Sequence, residues 1–215
     1  MKLSPIIKLI SFAMFLFLIS NSISLYSQRF DGGLKAGMVA SEVSGDQLAG
    51  PNKLGWFAGV FTNRSVSYYS RLQLELMYIT KGSRGVPREN QPRDYRFNLD
   101  YVETALFLTH SLEKYSSRSY VQKMNAEIGL SFGVLVNAYE EEYDLELDFS
   151  SERPYNQMEG SIWAGIYFPV NDNISLNFRF SNSFTPVRKH ASGHVVWYNW
   201  GQYHTLWTIG LQYSF

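Results

Sequence analysis

The feature that most restricts this chain is a two-residue period that recurs along its length. In residues 174–181, Ile174, Leu176, Phe178 and Phe180 fall on one parity, and Ser175, Asn177, Arg179 and Ser181 on the other. Successive side chains of an extended strand point to opposite faces, so this spacing writes a strand with one greasy face and does not suit an amphipathic helix. Residues 126–138 repeat it: Ala126, Ile128, Leu130, Phe132, Val134 and Val136 alternate with Glu127, Gly129, Ser131, Gly133, Leu135 and Asn137. The same alternation runs through Leu34, Ala36 and Met38, through Leu72, Leu74, Leu76 and Tyr78, through Val102, Thr104, Leu106 and Leu108, and through Ile162, Ala164, Ile166 and Phe168. Residues 55–62 are apolar on both parities and read as a strand by their β-rich composition. With the C-terminal segment the count is eight, near 31–40, 54–62, 69–80, 97–110, 120–138, 157–168, 174–184 and 202–215.

Alternation alone fits a water-soluble barrel as well as one in a bilayer. Three features favour the bilayer. The connections alternate in length: 41–53, 81–95, 139–156 and 185–201 are long and polar, while 63–68, 111–119 and 169–173 are shorter. Transmembrane barrels show that asymmetry, with extended outer loops and tight periplasmic turns. The non-apolar parity is rich in glycine (Gly33, Gly37, Gly129, Gly133, Gly165, Gly210) and thin in charge, which suits a narrow interior better than a solvated surface. Finally, Trp207, Ile209, Leu211, Tyr213 and Phe215 share one face at the C-terminus. In water such a stripe is an aggregation hazard, whereas in a bilayer it is the lipid side of the last strand. The fold expected is all-β, an eight-stranded antiparallel transmembrane β-barrel with both termini on the periplasmic side.

The N-terminus reads as an export signal. Lys2 and Lys8 precede an apolar run, 9–19, and a small polar stretch, 20–27. Eleven residues are too few for a spanning helix, which needs about 20. Cleavage is expected between Ser24 and Gln28, giving a signal peptide over 1–27 and a barrel domain over 28–215. The chain has no cysteine, which excludes disulfides, thiolate metal sites, a Cys nucleophile and a lipidated N-terminal Cys. Its formal charge is zero, with 19 basic and 19 acidic residues, so no general attraction to nucleic acid is expected.

Several stretches resemble one family. Residues 33–38 (GLKAGM), 74–82 (LELMYITKG), 101–106 (YVETAL), 126–133 (AEIGLSFG) and 213–215 (YSF) are similar to the PorT-like outer-membrane β-barrel family across almost all of the mature chain. Thr104 and Ala105 depart from that family's usual Tyr-Leu-Glu-Ile-Pro pattern in the fourth strand. The resemblance implies an eight-stranded outer-membrane barrel in a family whose members mostly lack known activities. PorT itself is linked to type IX secretion and gliding.

The candidate functional residues fall into two sets. Lys35, Glu75, Glu103, Glu127 and Arg179 lie on the inward parity and could form an ion or proton path, or an ion-pair plug. The plug is the reading adopted, because an uncompensated buried carboxylate is costly and small barrels usually pair theirs. The second set is the outer loops. Glu140, Glu141, Glu142 and Asp144 belong to an acidic third loop, and Arg84, Arg88 and Arg93 to a basic second loop to which Lys81 is also assigned; Arg188 adds to the basic side. The two loops are expected to attract each other, with partner, cation or lipopolysaccharide-phosphate recognition as the sharper alternative. Trp197 and Trp200, with Trp207, are read as an interfacial girdle, or alternatively as a carbohydrate-stacking surface.

No phosphate loop, zinc-protease motif or Gly-x-Ser-x-Gly elbow is present. His190 and His194 share a loop without helical period, and Ser192 with His194 is a weak match to a deacylase-type pair; His204 matches none. The function expected is therefore a non-enzymatic structural or assembly component of the Gram-negative outer membrane, without cofactor or metal. Its expected partners are outer-membrane lipids, the barrel-assembly machinery through the strand ending at Phe215, and secretion-system proteins. A surface ligand-binding or adhesion role is the alternative, and a lipid-modifying enzyme is less favoured.

Overall fold

The computed structural model describes residues 30–45, 50–85, 94–143, 145–147, 154–189 and 201–215. Its strands are β1 (Asp31–Ser44), β2 (Lys53–Ser65), β3 (Ser70–Gly85), β4 (Tyr95–Ser111), β5 (Asn125–Glu142), β6 (Leu145–Leu147), β7 (Met158–Pro169), β8 (Ile174–Ser183) and β9 (Tyr203–Ser214). All but β6 are staves of a closed antiparallel barrel. Each stave pairs with its sequence neighbour among the staves, and β1 pairs with β9, from Gly33 opposite Ser214 to Ser44 opposite Tyr203, so no edge is left open. Closure removes the exposed edge that an open sheet would offer for aggregation. The eight-stranded barrel written in the alternation is the fold observed.

The period assigns the faces. Leu34, Met38, Leu74, Leu76, Leu106, Ile128, Leu130 and Ile209 are all exposed on the outside, Ile128 by 55%. Their parity partners Lys35, Glu75, Phe107, Glu127 and Thr208 are buried in the lumen. An apolar surface of this extent is untenable in water and is the expected wall against hydrocarbon. Trp56 stacks on Tyr78 and Phe180 packs on Trp207 on this outer face, at centroid separations of 5.3 and 4.6 Å. These rings form one interfacial belt.

The lumen is narrow, and glycine makes it fillable. Phe107 lies directly across from Gly129, where a Cβ would come within 2.5 Å of the ring. Arg179 lies across from Gly165, where a Cβ would come within 2.7 Å of its Cγ. Both of these large inward side chains therefore fold over a residue that has none, which is how eight strands accommodate a ring and a guanidinium group inside.

The strands run further outward than the sequence suggests. β3 extends to Gly85 and β5 to Glu142, so Lys81 and Glu140, Glu141 and Glu142 stand on staves and not in loops. β5 begins at Asn125 and not near 120; residues 113–115 form a 3-10 turn and 119–122 a single helical turn, α1, so the β4–β5 connection is 112–124. The short β6 pairs back on the end of β5 through Glu140 opposite Leu147, a hairpin extension outside the barrel count. A bulge also interrupts the β4–β5 ladder. Asp100 pairs with Asn137 and Tyr101 with Leu135, which leaves Val136 without a cross-strand partner and shifts the parity of everything beyond it. Asn137, expected on the inner face, instead donates a 3.0 Å hydrogen bond to Asp100 on the outer one, and Glu140 turns inward.

Candidate functional site

The inward charges stack in three tiers along the barrel axis. In the first, Arg179 on β8 lies between Glu75 on β3 and Glu127 on β5. Its Nη1 and Nη2 donate to Glu75 at 3.0 and 2.9 Å, and its Nε donates to Glu127 at 2.8 Å. Lys35 also donates to Glu75, as does the Gln73 amide at 2.7 Å. The guanidinium lies 3.7 Å from the centroid of the Phe107 ring. A planar fork with five donors can satisfy two carboxylates at once, which a lysine cannot do with the same geometry.

The second tier lies past Met77 and Ile79, at the next inward position of β3. Lys81 donates to Glu103 on β4 and, at 2.6 Å, to Glu159 on β7. Glu159 is held in addition by Nδ1 of His204 on β9, at 2.6 Å, and by the Ser161 hydroxyl at 3.1 Å. The ammonium sits 4.4 Å from the Tyr101 ring centroid. Lys81 has no exposed surface, which corrects its assignment to a basic outer loop. Glu103 Oε2, Tyr101 Oη and His204 Nε2 are buried here without a hydrogen-bond partner.

The third tier closes the mouth opposite the chain termini around Glu140. Tyr95 and Tyr155 both donate to this carboxylate. Arg188 donates to it at 2.7 Å, to Tyr155 Oη at 3.0 Å and to Gln202 Oε1 at 2.6 Å, while its guanidinium packs 4.9 Å from the Phe97 and Tyr155 ring centroids. Burial, opposed by Arg188 and reinforced by Glu140, pushes the Tyr155 phenol far above its ordinary range, so it remains a donor. Glu140 is only 4% exposed and is not a residue of a recognition loop. Three chain segments distant in sequence converge on it because the β5 bulge aims it inward.

On the rim, Arg96 donates to Glu141 and Arg84 to Asp94 at 3.2 Å, so these outer-loop candidates pair with neighbouring charges. Glu142, at the end of β5, is half-buried. Asp144, Arg88, Arg93, Trp197 and Trp200 lie outside the described residues, as do His190, Ser192 and His194. Between the first two tiers Phe57, Met77, Ile79 and Trp163 fill the lumen, and the cavity that they line with Lys35, Arg179 and Thr208 is about 10 Å³. That is room for no more than one water molecule. No cluster of three or more acidic or histidine side chains suited to a metal occurs among the described residues.

Glu159, His204 and the inward turn of Lys81 and Glu140 were missed in sequence reasoning. The signal for Lys81 was available, since it continues the odd parity of Gln73, Glu75, Met77 and Ile79 without a break. Glu159 and His204 likewise extend the inner parities of Ser161 and Leu206. No sequence signal marks the bulge that turns Glu140.

The model for the family described as outer membrane protein beta-barrel domain matches residues 21–189. No curated protein matches the sequence. Among solved structures, Neisserial surface protein A is similar at 10% identity, covering 86% of this chain and 97% of its own with a TM-score of 0.48. CarO of Acinetobacter baumannii is similar at 9% identity, with 84% and 97% covered and a TM-score of 0.46. The attachment invasion locus protein Ail of Yersinia pestis is similar at 10% identity, with 87% and 99% covered and a TM-score of 0.41. The family match spans most of the chain, and the closed barrel with its apolar wall agrees with it: the chain belongs to the outer membrane protein beta-barrel domain family and is an integral protein of the outer membrane.

Proposed function

We propose that this protein is a non-enzymatic structural or assembly component of the outer membrane, a plugged barrel that anchors its rims to the envelope and conducts nothing. Residues 1–27 act as an export signal in this reading, and the barrel ends near Asp31 and Ser214, which an even stave number places on one side, face the periplasm. The observation that carries it is the lumen itself. Lys35, Glu75, Glu127 and Arg179 neutralise one another below an apolar septum, and Lys81, Glu103, Glu159 and His204 are bonded into one cluster above it. A path for ions or protons would need a continuous polar or wet track, and Met77, Ile79 and Trp163 interrupt it.

The outer rim supports the same reading over ligand capture. Glu140, Glu141, Arg84, Arg96 and Arg188 spend their charge on each other or on Asp94 and so offer less of it to a partner. The resemblance to PorT-like barrels supports service to a secretion apparatus of the type IX kind.

The test has two arms. In planar bilayers the purified full-length barrel should give no steady ohmic conductance, and a stable open channel would defeat the plug. In cells, deleting the gene should impair secretion or envelope assembly, and complementation with a Glu141→Gln, Glu142→Gln variant, which leaves the buried Glu140 intact, should restore it. Failure of that variant alone would shift the reading to recognition by the outer mouth.

A further inference from the structure

The end of the barrel opposite the third tier carries cations of a different kind. Two of its connections, 66–69 and 170–173, are four-residue turns, but 112–124 has 13 residues and folds into the 3-10 turn and α1. It holds Lys114, Arg118 and Lys123 against Glu113, a net +2 in a chain whose formal charge is zero. All three cations are exposed. Among the described residues neither Lys114 nor Lys123 has a carboxylate partner, and the Arg118 guanidinium donates only to the Tyr120 hydroxyl, at 3.1 Å. In the lumen, Lys35, Lys81, Arg179 and Arg188 are all ion-paired.

The lobe folds back toward the lipid side. His110 and Ser70 are cross-strand partners that continue the outward parity of Leu108 and Leu72, one step below the apolar belt. Ser70 Oγ lies 2.9 Å from His110 Nδ1, and Tyr115 Oη, from the lobe, lies 3.3 Å from His110 Nε2. This contact ties the lobe to the rim at the height where hydrocarbon gives way to head groups. Tyr68, Tyr115 and Tyr120 are exposed around it, and tyrosine concentrates at that boundary.

We infer that the β4–β5 lobe is a binding surface for the phosphodiester head groups of anionic phospholipid in the adjoining, periplasmic leaflet. The leaflet rests on the orientation proposed above; the chemistry does not. Each Lys or Arg held at an anionic membrane surface strengthens attachment roughly fivefold, so the three together amount to a factor on the order of 100, falling with salt.

The experiment uses the full mature chain, folded in zwitterionic detergent and presented with dioleoyl phosphatidylglycerol or dioleoyl phosphatidylcholine, with retained lipid counted by native mass spectrometry. Phosphatidylglycerol should be retained in preference, and Lys114→Gln, Arg118→Gln, Lys123→Gln together should weaken retention on the order of 100-fold. Equal retention of both lipids, or unchanged retention by the triple variant, overturns the inference. So does displacement by millimolar glycerol phosphate, which marks a free-phosphate site, or binding of soluble polyglutamate with neither lipid retained, which marks an acidic protein partner. Should the triple variant fail to fold, Lys114→Gln alone should cost roughly fivefold, and raising salt should release lipid from the unaltered protein. Labelling of Tyr120→Cys by an impermeant maleimide on intact cells reads orientation separately. Labelled cells with lipid still retained would overturn the leaflet assigned and the orientation, and leave the head-group chemistry standing.

Discussion

The two buried tiers within the barrel wall solve the same problem with different chemistry. In the first, Arg179 satisfies both oxygens of Glu75 and both of Glu127, and Lys35 and Gln73 add to Glu75. In the second, Lys81 and His204 share Glu103 and Glu159, and Glu103 Oε2, His204 Nε2 and Tyr101 Oη are left without a protein partner. Net charge alone does not distinguish them as clearly as geometry does. A guanidinium fork completes a two-carboxylate site, whereas an ammonium and an imidazole reach both carboxylates but do not satisfy every lone pair. The first tier is therefore expected to be the more cooperative lock and the second the more replaceable one.

The largest effect should follow from opening the first tier at its hub. Arg179→Met removes every charged bond of Glu127 and leaves Glu75 with Lys35 and Gln73. Removing one partner of a buried ion pair costs about 3–5 kcal/mol, because a carboxylate is left uncompensated. Urea unfolding in lipid vesicles, followed by tryptophan fluorescence, should show this loss. Adding Glu127→Gln should recover part of it, and a loss below about 1 kcal/mol would mean that water reaches the tier. Next comes Lys81→Met in the same assay, with a loss at the low end of that range, about 3 kcal/mol. Glu159 keeps His204 and Ser161, so Glu103 is the group stranded. A loss exceeding that of Arg179→Met would reverse the ranking of the tiers.

These same tiers show what the sequence discloses and what it conceals. Lys35, Glu75, Glu127 and Arg179 sit in the middle of unbroken alternation, so parity alone sends them inward. Lys81 obeys the same parity, yet the polar residues around it look like loop, and a strand that continues past the membrane leaves no mark in hydrophobicity once its outer face becomes polar. Glu159 and His204 fall inside the expected strands 157–168 and 202–215, on the inner parity, but parity names a face and not the partner across the lumen. Glu140 lies beyond the reach of parity, because Val136 has no cross-strand partner and the residues after it change face. Bulges depend on the neighbouring strand, and a single segment does not report them. The pairing of the rim charges is likewise set by register across strands, as with Arg96 opposite Glu141.

A smaller effect should come from the glycine that makes room for the first lock. A Cβ at position 165 would lie 2.6 Å from the Phe178 carbonyl oxygen and 2.7 Å from Arg179 Cγ. Gly165→Ala must push Arg179 off its fork geometry, and overpacking of this kind costs about 1–3 kcal/mol. The matching change in the second tier is Gly133→Ala, where the nearest atom is Cγ of Glu103, 2.8 Å away, a flexible side chain that can give. The alanine at 165 should therefore be the costlier of the two in urea midpoint, and parity between them would argue that both tiers are equally adaptable.

The smallest effect, and the sharpest on the second tier, should come from His204→Gln. The longer glutamine side chain still carries an amide N–H to donate to Glu159, and Lys81 keeps its bonds to both carboxylates. What changes is the aromatic edge against Tyr101, at 6.0 Å between centroids, and the unpartnered Nε2. One hydrogen bond exchanged for a weaker one is worth about 0.5–1.5 kcal/mol. If Lys81 is the hub of this tier, the variant folds and its unfolding midpoint shifts by that small amount, whereas Lys81→Met in the His204→Gln background loses more than the sum of the two single changes. Such an excess is the signature of a charged imidazole, because Glu159 would then have lost its last cation. Additive losses would instead show that the imidazole contributes no charge to the tier and that Lys81 alone neutralises it, which would make the second lock a single-cation device beside the two-cation first.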